Sequence, residues 1–346
     1  MRSERPKPLH VLGGRPLVGH VLDALVGLAP ARIVVVVGHG ADAMTKALAG
    51  RVGALRAEFA EQVEQRGTGD AVGVALAALA GSDPSSSADA TDDDATGGDV
   101  VVVPGDTPLL RPETLQALVA AHRRAGAAAT ALTARIDDPT GYGRIVRDDS
   151  GSVTGIVEHA DASAEQRRID EINTSIYCFR RGLLADALRR IRPDNSQGEW
   201  YLTDVIGVLH AAGHPVAACV VDDPVEAQGV NDRVQLAAAE TALRARINEA
   251  WMRDGVTMVD PASTVVDVGV QLARDVTLFP GAVLRGTTVI GAGAEIGPHA
   301  VLVDAVVGEG ANIGASAVLE RGATVEAGGH VAPLTHLVGD GRSPRQ

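Results

Sequence analysis

Four short clusters in the chain carry residue types and spacings that can do chemistry. Gly105-Asp106-Thr107-Pro108 directly follows the apolar run 100–103. A carboxylate at the C-terminal end of a buried strand can hold Mg2+, a hard ion that binds through one or two carboxylates together with substrate phosphates. The same four residues also read as an ordinary turn, because Asp and Pro favour turns. Gly67-Thr68-Gly69 opens a helix-like, Ala-rich stretch. Its first N–H groups attract an anion or a base edge, and a flexible turn is the competing reading. Gly141-Tyr142-Gly143-Arg144 is followed fourteen residues later by Glu158. Glycines let backbone approach a ligand and a carboxylate can fix sugar hydroxyls, whereas the plain alternative is a glycine-bulged hairpin with a solvated Glu. Asn231 opens a long helical pattern. It serves as a metal ligand if the fold brings Asp106 beside it, and as a helix N-cap otherwise.

Other chemistries find no support. The histidines are scattered without a His-x-x-x-His or His-Cys cluster, and no serine sits in a Gly-x-Ser-x-Gly elbow. The two cysteines, Cys178 and Cys219, make neither a disulfide framework nor a zinc site, which suits a reducing cytoplasm. Acidic residues outnumber basic ones by 44 to 31, a net charge of −13, which argues against nucleic acid or an anionic membrane as partner. A small anionic substrate stays open, since a metal ion and a few lysines reverse the sign locally. No apolar run reaches the ~18–20 residues of a membrane helix. The start Met1-Arg-Ser-Glu-Arg-Pro lacks the apolar segment of a secretory signal. A soluble cytoplasmic protein is expected.

These clusters need elements to hold them. With 346 residues the chain has room for more than one core, and with aromatics at 2% that core must be Ala, Val, Leu and Ile. Up to about Gly229, short β-branched runs (34–37, 100–103, 216–221) alternate with helical patterns such as 112–125, where Pro112 suits the first turn and Gly126 stops the helix. Continuous apolar runs of this length read as buried parallel strands, and their alternation with helices predicts a doubly wound, Rossmann-like α/β domain over 1–230. Ligands of such sheets sit beyond the carboxyl ends of the strands, where the Gly-rich turns lie. Segment 82–99, Ser- and Asp-rich, reads as a disordered insertion. Residues 231–255 predict a linking helix with Leu236, Ala239, Leu243, Ile247 and Ala250 on one stripe, ended by Gly255. Beyond it the period changes to six: Leu272, Leu278, Leu284, Ile290, Ile296 and Leu302, then after one five-residue step Val307, Ile313, Leu319, Val325 and Val331. Hexads with small residues between them predict a short parallel β-helix over 256–335 and a tail over 336–346. No convincing cap closes this solenoid, which favours association into oligomers.

The clusters follow one another in an order that resembles a known family. Pro6-Lys7-Pro8-Leu9-His10, Gln62 with Gly67-Thr68-Gly69, Pro104-Gly105-Asp106-Thr107-Pro108, Asp138-Pro-Thr-Gly-Tyr-Gly-Arg144, Ile156-Val-Glu-His159, Glu171-Ile-Asn-Thr174, Gln197-Gly-Glu-Trp-Tyr-Leu-Thr-Asp204 and Gly229-Val-Asn231 match the bifunctional N-acetylglucosamine-1-phosphate uridyltransferase / glucosamine-1-phosphate N-acetyltransferase family. The hexads resemble the start of that family's left-handed β-helix. The resemblance implies Mg2+-dependent transfer of UMP from UTP to N-acetylglucosamine 1-phosphate, with release of pyrophosphate and a place in peptidoglycan-precursor supply. Asp106 and Asn231 would hold the metal, and Lys7 would neutralise phosphate charge. Gln62, Gly67 and Thr68 would read uracil, and Pro104 and Gly105, beside the metal ligand, would also bind substrate. Gly143, Glu158, Asn173 and Thr203 would hold the sugar. The reaction needs positioning and charge stabilisation and no covalent protein intermediate. A homotrimer is expected from the same resemblance.

Two departures from the family are visible. Its Gly-rich Leu-Ala-Ala-Gly-x-Gly-Thr-Arg segment, with the sheet's first strand, would precede Met1, so an upstream start is expected. At the other end, Leu319-Glu-Arg-Gly322 stands where the family has Leu-Arg-Pro-Gly, and acetyltransferase activity is expected to be absent. Two rival functions remain at this stage. One is uridylyl or thymidylyl transfer to another sugar 1-phosphate, and the other is a non-catalytic relative that binds nucleotide sugar or assembles through its solenoid.

Overall fold

The computed structural model describes residues 1–38, 40–55, 57–81 and 98–340. Two compact units emerge, one made of Met1–His10 with Leu17–Asn231 and the other of Val11–Pro16 with the chain from Asp232 onward. The small N-terminal piece of the second unit is a hairpin that the sequence reading did not separate from the first. Strands β1 (Val11–Leu12) and β2 (Arg15–Pro16) pair antiparallel. They turn through Gly13 and Gly14, both at positive φ as a two-residue hairpin turn demands. The Gly13 N–H donates to Glu240 Oε2 at 3.0 Å, and its carbonyl accepts from Val268 N at 3.0 Å, which fixes the hairpin within the second unit.

The first unit runs α1 (Leu17–Val26), β3 (Val34–Val37), α2 (Ala41–Ala54), β4 (Glu58–Glu61), α3 (Thr68–Gly81), β5 (Asp99–Val102), α4 (Pro112–Ala125), β6 (Ala129–Arg135), β7 (Arg144–Arg147), β8 (Val153–Val157), β9 (Glu171–Arg180), α5 (Arg181–Leu188), α6 (Asp204–Ala211) and β10 (Val216–Val220). Strand–helix alternation has produced helices on both faces of a sheet ordered β10-β6-β9-β7-β8, with β5 also paired to β9. On one face Leu132, Ile172, Ile176 and Cys178 pack with Leu115 and Leu118 of α4 and Ala24 of α1. On the other, Ala129, Ala131, Tyr177 and Phe179 pack with Leu184 of α5, Val205 and Ile206 of α6 and Val72 of α3. Strand β9 thus alternates between two cores with period two.

The sheet is mixed where purely parallel strands were expected. The runs at β3 and β10 do pair in parallel, with β4 and β6 respectively. The run at β5 instead pairs antiparallel with β9. A run buried on both faces reads alike in either direction, so periodicity could not choose. Strands β3 and β4 form a separate two-stranded sheet among the described residues. Residues 82–97 of the expected insertion lie outside the described residues, and Asp99, assigned to its end, is already the first residue of β5.

In the second unit α7 (Arg233–Arg253) begins two residues later than the 231–255 span the pattern implied. Its N-cap is Asp232, whose side chain accepts from Gln235 N at 2.8 Å. A parallel β-solenoid of hexapeptide repeats follows, built from three sheets of five, five and four short strands. Each strand lies beside the one a full turn later, as in Thr277↔Glu295 and Val301↔Val318. The hexad aliphatics are the inward residues, with Leu278, Leu284, Ile296, Leu302 and Leu319 fully buried. The repeat extends one strand beyond the sequence reading at its end, to half-buried Leu337, and two at its start, to buried Val266 and Met258. Residues assigned to a tail therefore form the last strand, His336–Val338, paired with Val318–Glu320. At some corners only glycine fits: a Cβ on Gly297 would lie 2.7 Å from Ile313 O in the next turn.

Candidate functional site

All twelve residues singled out from the sequence lie in the first unit. Lys7 sits in a 3-10 turn over Lys7–Leu9, closed by the His10 N–H on Lys7 O at 3.2 Å. Strand β5 delivers Pro104, Gly105 and Asp106 at its carboxyl end, and Thr107 pins that turn through Oγ1, which donates to Pro104 O at 3.0 Å. The segment after β10 returns beside it, where Val230 N donates to Asp106 O at 2.9 Å. Gly229 lies against the same carboxylate, where a Cβ would meet Asp106 Oδ1 at an ordinary contact distance of 3.6 Å.

With Asp232 serving as cap, the Asn231 side chain is released from the capping role, and its Oδ1 accepts from Lys7 Nζ at 2.8 Å. The same ammonium pairs with Asp106 Oδ2. Two oxygens more than a hundred residues apart in sequence therefore embrace one cationic atom. An all-oxygen set of one carboxylate and one amide suits Mg2+, which takes hard oxygen ligands and completes its octahedron with water and phosphate.

A second group gathers at the start of α3. Gln62 follows β4, its N–H donating to Val37 O at 2.8 Å. Its side-chain Nε2 donates to Gly67 O at 3.1 Å and to Asp70 Oδ2 at 2.8 Å. Gly67 has φ +110°, and a Cβ there would stand 2.6 Å from Trp200 O, so only glycine fits. The loop is clasped from outside: Gly69 N donates to Trp200 O at 2.8 Å, Trp200 N to Arg66 O at 2.8 Å, and Leu202 N to Thr68 Oγ1 at 3.0 Å. Thr68 thus spends its hydroxyl oxygen on the fold. Gln62 lines an open pocket of about 620 Å³ with Gly38, Gly40, Ala41 and Glu61.

The third group faces the sheet between β7, β8 and β9. Asn173 N donates to Gly143 O at 2.9 Å, and a Cβ on Gly143 would lie 3.3 Å from Glu158 Oε2 and 3.4 Å from Asn173 Cβ. Thr203 Oγ1 donates to Glu158 Oε1 at 3.1 Å. Burial raises the Glu158 carboxyl above its usual range, Thr203 opposes that shift, and the charges of Asp204 and Asp161 add to it. Leu202 and Thr203 are consecutive, so a single two-residue step ties the Thr68 loop to Glu158.

Several participants escaped the sequence reading. Tyr142, which the sequence reading quoted within the Gly141–Arg144 cluster but gave no role, is one: burial, and after it the Asp106 charge, raise its phenol. Asp70 is another, although an acid in the first turn beside Gln62 was a readable signal. The clasp by Trp200 and Leu202 was not readable, because it uses backbone atoms that any residue offers. Among the described residues, the one cluster of three metal-capable side chains lies elsewhere, at Asp99, His122 and Cys178. Arg123 Nε donates to Asp99 Oδ2 there at 2.8 Å, and burial pushes the Cys178 thiol up to about 12. No helix among the described residues is long and apolar enough to cross a membrane.

Comparison with known proteins matches residues 1–204 to the MobA-like NTP transferase domain. Among curated proteins, the chain is 52% identical over 304 residues to the bifunctional protein GlmU of Thermobifida fusca (strain YX), covering 88% of this chain and 60% of the relative. It is 49% identical over 338 residues to that of Streptomyces coelicolor (strain ATCC BAA-471 / A3(2) / M145), covering 96% and 64%. With the Streptomyces griseus subsp. griseus protein the identity is 48% over 338 residues, covering 97% and 67%. The chain thus spans 60–64% of the length of the first two relatives.

Proposed function

This chain belongs to the GlmU branch of the MobA-like NTP transferase family, and on that premise we propose that it transfers UMP from UTP to N-acetylglucosamine 1-phosphate, giving UDP-N-acetylglucosamine and pyrophosphate. The observation that carries the reading is the meeting of Asp106 Oδ2 and Asn231 Oδ1 on the Lys7 ammonium. Two hard oxygens and a cation at the carboxyl end of a strand are what a nucleoside triphosphate with its Mg2+ needs. Asp106 and Asn231 would hold Mg2+, which supplies charge neutralisation on the phosphates. Lys7 then turns its ammonium from these oxygens toward the phosphate oxygens, where charge accumulates in the transition state.

Gln62, Gly67 and Thr68 hold the base. Gly143, Glu158, Asn173 and Thr203 hold the sugar, with Thr203 orienting Glu158 so that its other oxygen, Oε2, accepts from a sugar hydroxyl. Pro104 and Gly105 shape the turn that presents Asp106; a Cβ at Gly105 would meet only ordinary contacts, with Val18 at 3.7 Å. The sugar phosphate oxygen attacks the α-phosphorus in line, and pyrophosphate leaves. Positioning and charge carry the step. The solenoid supports assembly into a homotrimer, and the site serves a cytoplasmic pool of soluble substrates.

The test is pyrophosphate release on mixing the protein with UTP, Mg2+ and N-acetylglucosamine 1-phosphate. Release that requires all three supports the reading. UDP-sugar binding without release returns the chain to the non-catalytic class, and release with a different sugar 1-phosphate alone changes the acceptor.

A further inference from the structure

We propose that Asp70 is a positioning residue that makes the base pocket select a ring bearing an N3–H, uracil or thymine, against cytosine. The inference rests on the reading of Gln62 as base contact and deepens it. A primary amide has two N–H donors and one carbonyl acceptor. Here both donors point inward: Nε2 meets Gly67 O at 3.1 Å and Asp70 Oδ2 at 2.8 Å. Turning the amide over would set Oε1 against a carbonyl and a carboxylate, two acceptors with no proton between them. Such a clash forfeits both bonds and leaves polar atoms unpaired, so the amide has one orientation.

Oε1 is then the polar atom of Gln62 left to meet a ligand, on a residue that lines the pocket of about 620 Å³. An outward carbonyl accepts a hydrogen bond from N3–H of uracil. It faces the lone pair of N3 in cytosine, which offers no proton. Gly67 O alone would hold the amide weakly, because its carbonyl also accepts from Ala71 N at 3.2 Å. The Asp70 carboxylate is the stronger acceptor, and it sits in the first turn of α3, where the helix favours negative charge. Selection is thus set one residue back from the contact, by what fixes the direction of a symmetric-looking amide.

The experiment is equilibrium binding of UTP and of CTP to the whole protein and to two variants, Asp70→Ala and Asp70→Asn, with thermal melting of each. In Asp70→Ala the ratio of CTP to UTP dissociation constants falls by about tenfold, the worth of one hydrogen bond. In Asp70→Asn the carbonyl oxygen still accepts from Gln62, and most of the ratio is restored. A ratio within twofold of the parent in Asp70→Ala overturns the proposal. So does an Asp70→Asn protein that loses discrimination as fully as Asp70→Ala while melting like the parent. A parent that binds UTP and CTP equally overturns it as well. Binding reads this without turnover: absence of pyrophosphate release would remove the proposed reaction and leave the discrimination ratio measurable.

Discussion

The two units use the same small aliphatic residues to opposite ends. In the solenoid every strand touches its counterpart one turn away, each inward aliphatic repeats its neighbour's role, and Asn312↔His330 differs little from Glu295↔Asn312. In the first unit the decisive contacts are single and distant: Lys7 with Asn231 across 224 positions, Leu202 with Thr68 across 134, Thr203 with Glu158 across 45. Repetition spreads the load over many equivalent contacts, whereas a site assembled from distant single contacts loses its geometry with one of them. The difference divides how mutations should act: at the site of the first unit on activity with little change in stability, and in the solenoid on stability with little change in activity.

The sharpest division is expected at Asp106. Asp106→Ala should lower the rate of pyrophosphate release by about a thousandfold, the scale of removing a preorganised charge partner, while its side chain contributes little to the core. The thermal midpoint should move by no more than a few degrees. A variant that unfolds instead would erase the contrast. The complementary change is Ile296→Ala, which empties a fully buried hexad position. Its cost should be about 2–5 kcal/mol, the range for large-to-small core substitutions, measured by denaturant unfolding. The rate per folded molecule should stay within about twofold of the parent, and a parallel loss of rate would show that the two units are not energetically separable.

Arg147 tests the comparison from within the first unit, as a stability contact that is distant from the chemistry. Arg147 donates to both oxygens of the buried Glu171, at 2.9 and 2.7 Å, and Thr133 Oγ1 adds a third bond at 2.9 Å. Arg147→Ala leaves that carboxylate with Thr133 and the more distant Arg135. The expected loss is about 2–3 kcal/mol, somewhat below the ~3–5 kcal/mol of a buried pair stripped of one partner, because Arg135 remains. The nucleotide dissociation constant should be unchanged in the folded fraction.

The legibility of the molecule divides along the same line. A repeating pattern writes its own fold: hexad spacing from Leu272 to Val331 named the inward residues before any coordinate, because one residue in six is all a solenoid strand needs to specify. The first unit was legible as strand–helix alternation and as an ordered set of motifs. Its strand directions were not, since β5 is apolar on both faces whichever way its neighbour runs. Nor was the cap of α7, because Asn, Asp and Ser cap equally well and Asp232 took the role one residue after Asn231. Local sequence offered two adjacent candidates for the cap, and the folded chain gives that role to Asp232. The hairpin of residues 11–16 escaped because its partners Glu240 and Val268 are more than two hundred residues away.

The smallest expected effect separates two glutamates of the first unit, Glu158 just after β8 and Glu171 at the start of β9. Burial raises Glu158, with only Thr203 opposing, whereas burial at Glu171 is outweighed by Arg147 and Thr133 and its carboxyl is lowered. The signs of their pH dependence are therefore opposite. For Glu158 the folded state binds its proton more tightly than the unfolded chain, so its contribution to stability is full below the ordinary glutamate pKa of about 4.3 and is lost as pH rises through the folded value. For Glu171 the contribution is present above that ordinary pKa and is lost as pH falls through the lowered folded value. Glu158→Gln should consequently melt above the parent at neutral pH, with the gap closing as the pH falls toward 4. The same change removes the charged acceptor offered to the sugar, so the acceptor KM should rise by about tenfold. A Glu158→Gln protein that is stabilised at neutral pH and impaired in acceptor binding would show that the ionised carboxylate is kept at a cost to the fold. If its melting gap widens toward acid instead, Glu158 belongs with Glu171 as a structural anchor, and the sugar side of the site must be drawn without it.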